Sequence, residues 1–161
     1  MPTPKLNPSR SIAVIPSDDC NIPNPALLIT DSATTSNVLA GSCTLSVAEE
    51  IISSINIGDI IYGDGQGVTI ETVAILSAND IDVTYNSSSI FTDSATVSIY
   101  NGEDDSTGCV LYIGTGGVLS VVTEGGDEVE FLNVPTGSFF PVQVIKVKKP
   151  ESGASEILAL R

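Results

Sequence analysis

Histidine and tryptophan are both missing from the 161 residues, and each absence closes off chemistry. Without an imidazole, Ser-His-Asp and Cys-His constellations cannot be assembled, and the side chain best suited to proton transfer near neutral pH is gone. A pair of carboxylates could still hydrolyse a glycosidic bond. Aromatic residues make up only 5%, however, which is sparse for a sugar-binding cleft. Positive charge is equally scarce: six Lys and Arg stand against twenty Asp and Glu, a net charge of -14. Phosphate binding runs on basic residues that release counterions, so no nucleic-acid partner is expected. The acidity itself reads as a solubility device, and it suits a surface exposed to high salt. No apolar run approaches the ~18 residues of a membrane span, so no membrane partner is expected. The start, Met1-Pro2-Thr3-Pro4-Lys5-Leu6-Asn7-Pro8, has no apolar core region and no small-residue cleavage pattern, so it does not read as a secretory leader.

Cysteine is the remaining scarcity. Cys20, Cys43 and Cys109 are odd in number, far apart, and include no Cys-x-x-Cys pair. A zinc site is not expected; three buried free thiols are, in keeping with assembly in a reducing cytoplasm. No residue is assigned a catalytic, cofactor-binding or metal-binding role, and no cofactor is expected.

What the chain does have is a succession of strand-length apolar runs separated by turn residues. Residues 1–10, with three prolines in the first eight, read as an extended arm. Ser11 to Ile15 reads as a strand stopped by Pro16-Ser17-Asp18-Asp19. Asp18 and Asp19 could pair on a metal, but neighbours on a strand face opposite ways, and Ser and Asp favour a turn here. Ala26 to Ile29 opens the next strand. Ser46-Val47-Ala48-Glu49 has the form of a capping box, and Ile51, Ile52 and Ile55 follow at helical spacing. Residues 46–55 are therefore expected to hold the chain's one short helix. Segments 57–100 give about four short strands joined by tight turns, with Ile90-Phe91 as an apolar plug. The acidic run Glu103-Asp104-Asp105 is the best calcium-loop candidate, although its spacing is not that of an EF-hand, and a solvated linker is the simpler reading.

From Gly108 to Arg161 the pattern is clearest. Apolar runs alternate with Gly114-Thr115-Gly116-Gly117, Glu124-Gly125-Gly126-Asp127 and Asn133-Val134-Pro135-Thr136-Gly137. The simplest folding is a meander of four or five antiparallel strands. Phe139, Phe140, Val142, Val144, Ile145 and Val147 are expected to supply most of the core. Lys146, Lys148 and Lys149 hold half of all positive charge, either as an edge-strand guard or as a partner contact.

These C-terminal motifs carry a resemblance. Leu111 to Gly117, Gly125-Gly126-Asp127, Phe131 to Gly137, Phe140 to Val144 and Ile157 to Leu160 occur in an order and spacing similar to the head-spike base proteins of gene transfer agents and related small virion proteins of tailed phages. Ala13 to Asp18 matches the start of the same pattern. Ile57 to Tyr62, Thr69 to Val73, Asp80 to Thr84, Ser89 to Phe91 and Val97 to Asn101 resemble a small β-module of marine phage structural proteins.

The expected fold is all-β. A jelly-roll-like sandwich is formed by residues 11–30 and 106–161, and a small β-barrel-like module, residues 31–105, is inserted. The resemblance implies a non-enzymatic virion protein on the outer capsid surface, a decoration, cement or spike-base protein assembled in the host cytoplasm. Its implied partners are the major capsid protein, further copies of itself as a trimer or pentamer, and a spike or fibre protein. The alternative is a glycan- or host-surface-binding module that uses the loops at 63–67, 86–89 and 101–108.

Overall fold

The computed structural model describes residues 8–34, 43–46, 53–75, 80–84, 91–92, 94–102, 107–149 and 153–161. Among them the chain is all-β, as expected: thirteen strands and a single 3-10 turn, Pro25–Leu27. Asn24 caps that turn, its side-chain oxygen accepting from the Ala26 N–H at 3.0 Å. Of the helix expected over 46–55, residues 47–52 lie outside the described residues. Ser46 closes a strand and Ser53–Ser54 form a turn.

The strands sort into two antiparallel sheets. The first holds β1 (Ser11–Ala13), β9 (Cys109–Thr115), β10 (Gly117–Thr123), β11 (Glu128–Val134), β12 (Ser138–Val147) and β13 (Ser155–Leu160), in the order β1-β13-β9-β12-β10-β11. The second holds β2 (Leu28–Thr34), β3 (Cys43–Ser46), β4 (Ile60–Gly63), β5 (Gln66–Thr69), β6 (Thr72–Ile75), β7 (Asp80–Thr84) and β8 (Thr96–Tyr100), in the order β5-β4-β8-β2-β3-β7-β6. Strand β2 thus pairs with the residues expected of the insert, although it starts before residue 31.

The C-terminal region is not a simple meander. Strands β9 and β10 are consecutive, yet β12 lies between them. The ten residues of β12 explain this. Its residues from Ser138 to Val144 pair with β9 (Phe139 opposite Tyr112) and those from Val144 to Val147 with β10 (Val147 opposite Val121), the two ladders overlapping at Val144. The register breaks between Phe140 and Val144, around Pro141, which has no N–H to give a ladder. Gly116 alone joins β9 to β10, as a corner. A Cβ there would sit 2.2 Å from the Val134 carbonyl oxygen.

Both sheets curl. In the first, the rings of Phe131 and Phe140 meet edge-on at 4.7 Å. They stand on strands two steps apart, which a flat sheet would separate by ~10 Å. The Ala154 N–H also donates to the Val118 carbonyl, tying the start of β13 to β10. In the second, Thr69 ends one outer strand and Thr72 begins the other. Three residues of chain span at most ~11 Å. Seven strands laid flat would hold their edges ~29 Å apart. The sheet must close on itself at that corner. The β4–β5 hairpin fits this tight curl, because Asp64 and Gly65 both take positive φ (49° and 68°), the twist-matched two-residue turn.

Each sheet therefore wraps its own core. Leu111, Ile113, Leu119, Val121, Val144 and Ile157 are among the buried residues of the first. Leu45, Ile61, Val68, Val97 and Ile99 line the second, with Ile55, Ile70 and Phe91 plugged in from connecting segments. Phe91 is fully buried, in the role of apolar plug expected for it. A third cluster, Cys20, Ile60, Tyr62 and Tyr100, with Ile12 and Ile15 against it, sits where the two units meet.

The segment 14–22 straps the units together. The Val14 N–H donates to the Ile157 carbonyl, the Ser17 N–H to Val147 and the Ile22 N–H to Ile145, all in the first sheet. Toward the second, the Ser17 hydroxyl donates to the Gly67 carbonyl at 2.6 Å, and the Ile15 N–H donates to the Tyr62 hydroxyl. Burial pushes the Tyr62 phenol well above its ordinary range, so it stays a neutral, bonded group in this joint.

Candidate docking surface

Strand alternation decides what each sheet shows to water. On β12, Phe140 points into the core, so Phe139 must point out. It is 60% exposed. This corrects the expectation that Phe139 serves the core. The signal was in the sequence: two adjacent phenylalanines on one strand cannot share a face.

Register then places Phe139 in a row. It stands opposite Tyr112 on β9, Tyr112 stands opposite Leu158 on β13, and Leu158 stands opposite Ala13 on β1. Leu158 is 38% exposed, Ala13 is exposed and Tyr112 is half-buried. The Phe139 and Tyr112 rings meet edge-on at 5.4 Å. Pro141, two residues further along β12, is exposed too. Gly114 leaves the ground beside the row flat; a Cβ there would sit 2.6 Å from the Glu156 carbonyl oxygen. Four neighbouring strands thus carry an outward apolar stripe, formed by residues far apart in sequence.

The other candidates fall elsewhere. Ser17 is buried, and its hydroxyl accepts from the Asp19 and Cys20 N–H groups at 3.1 and 3.3 Å. That makes 17–20 the turn expected, with Asp18 and Asp19 exposed on it. Cys20 and Cys109 are buried and not joined in a disulfide, and the Cys109 thiol donates to the Val144 carbonyl at 3.2 Å; the Cys43 side chain lies outside what is described. Glu103-Asp104-Asp105 and the loop 86–89 also lie outside the described residues. Among the described residues no group of three or more His, Cys, Asp or Glu side chains could hold a metal ion. In the 63–67 turn, Asp64 is engaged internally, accepting from the Thr92 N–H and hydroxyl at 2.8 and 2.9 Å.

The three lysines do not guard an edge, because β12 is interior to its sheet. Lys148 pairs with Glu128 on the true edge strand β11 at 2.6 Å. Lys146 donates to the Asp18 carbonyl, and Lys149 to the Gln66 side chain of the second sheet. They tie β12 to its surroundings. Edge protection on β11 comes instead from Glu128 and Glu130, which face water.

No helix among the described residues is long and apolar enough to cross a membrane. Comparison of the chain with family models, with curated proteins and with solved structures finds no match.

Proposed function

We propose that this chain is a non-enzymatic structural protein of a tailed-phage virion, held on the outer capsid surface as a decoration, cement or spike-base protein. It works by burying surface. Copies associate with one another, and the assembled copies contact the major capsid protein and, at a vertex, a spike or fibre. The observation that carries this reading is the outward row of Phe139, Tyr112 and Leu158. It lies on a sheet built from the very motifs that resemble virion proteins. Single weak contacts suffice in such a setting, because many copies on one shell multiply their effect.

The test is made on particles. Intact virions of the source phage are purified, the polypeptide is identified by mass spectrometry, and its position and copy number are read from a density map. The expected result is a regular array on the shell. Particles lacking the polypeptide would overturn the reading, and so would turnover of a substrate by the isolated chain.

A further inference from the structure

The row on the six-stranded sheet has a size and a neighbour that name its occupant. Its two large exposed members, Phe139 and Leu158, offer on the order of 200 Å² of apolar surface. A stable contact between folded subunits needs ~800 Å² from each side. The row is too small for that and well sized for a short extended segment. Four strands span ~14 Å, the length of four or five residues of polyproline-like chain.

The chain has such a segment. Residues 1–7 precede the described part and read Met-Pro-Thr-Pro-Lys-Leu-Asn, followed by Pro8. Residues that precede proline are held to extended conformations, here positions 1, 3 and 7. Extended, proline-rich segments dock on exposed aromatic rings at little entropic cost. Charge favours the match as well. Lys5 is the one charged residue among 1–7, so with a total of -14 the other residues carry -15.

Direction decides whose arm it is. The Ser9 and Arg10 N–H groups both donate to the Arg161 carbonyl, which pins this stretch beside the end of β13. From there β1 runs toward the row, reaching it at Ala13. The described chain therefore enters this sheet at Pro8–Arg10 from the side away from the row. To cover its own row it would have to reverse at Pro8. We propose that residues 1–7 of one copy lie across the Phe139–Tyr112–Leu158 row of a second copy, linking copies by exchanged arms. This rests on the reading of the row as the face of self-association.

The test uses the full chain. A photo-activatable cross-linker replaces Leu6, and light and isotopically heavy copies are mixed before irradiation. Cross-links between light and heavy copies, landing on the segments around Tyr112, Phe139 and Leu158, are expected. Sedimentation should show association of the unmodified chain, weakened at least tenfold in Phe139→Ser and in Leu158→Ser, while both variants still unfold cooperatively as folded chains. Cross-links confined to one copy, cross-links elsewhere, a chain monomeric at every concentration, or association indifferent to both substitutions would each overturn the exchange. Occupancy on particles is a separate readout, so loss of the exchange with retained capsid binding leaves the virion reading standing.

Discussion

Asp59 offers the sharpest check on how the second unit is held together. It is 2% exposed, and its two oxygens serve different donors. Oδ2 accepts from the Asn56 N–H at 2.8 Å and Oδ1 from the Gly102 N–H at 3.1 Å. One carboxylate thereby fastens the 55–59 turn to the connector that leaves β8. Its own backbone continues the job, since the Ile70 N–H donates to the Asp59 carbonyl. In Asp59→Asn the shape is kept, but one of the two oxygens becomes an NH2 group. Whichever way the amide is turned, a donor then faces a donor, and one of the two part-buried N–H groups loses its acceptor. A bond to a charged acceptor contributes about 1.5–3 kcal/mol, and an orphaned buried donor costs about 1–3 kcal/mol; release from burying a charge offsets part of this. A net loss of about 2–3 kcal/mol is expected. For a chain of this size that is a fall of ~5–10 °C in the thermal midpoint. Asp64→Asn is the control. Asp64 also takes two bonds from Thr92, but on a single oxygen and in water, so the asparagine carbonyl can keep both. It should change the midpoint by less than ~1–2 °C, as surface substitutions usually do. Equal midpoints for the two variants, measured by calorimetry or urea titration, would refute the reasoning.

Three further outcomes follow from the packing. Phe91→Ala empties a fully buried site in the second core and should cost about 3–5 kcal/mol in denaturant unfolding; a loss below ~1 kcal/mol would mean the plug is loose. Gly116→Ala drives a methyl into backbone, 2.2 Å from the Val134 oxygen and 2.7 Å from the Thr136 nitrogen, so the corner must open. A midpoint lowered by at least ~5 °C is expected, and an unchanged one would show that the corner yields freely. Burial pushes the Cys109 thiol from its ordinary 9.0 up to about 11, against a smaller opposing pull from Arg161. The unfolded chain releases this proton near pH 9 and the folded chain holds it until about 11. Stability present below pH 9 therefore falls as pH rises through that window, by about 2–3 kcal/mol, and Cys109→Ala should flatten the fall. A slope across pH 9–11 identical in both proteins would remove Cys109 as its source.

Much of this protein is local, and local features are readable. Strand lengths, the turn at Ser17, the Asp64-Gly65 reversal and the inward Val129 and Phe131 opposite outward Glu128 and Glu130 follow from alternation and turn chemistry, which act within a few residues. The missing imidazole likewise settles which catalytic constellations cannot form, whatever the fold. Pairing is another matter. Nothing near Gly116 announces that β12 will slide between β9 and β10; that depends on a long strand some 25 residues later, which shifts register after Phe140 and pairs with both neighbours at Val144. The docking row shows the same limit. Phe139 or Phe140 had to face out, but which one did, and that Tyr112, Leu158 and Ala13 would join it, was settled only when three hydrogen-bond ladders aligned residues drawn from both ends of the chain.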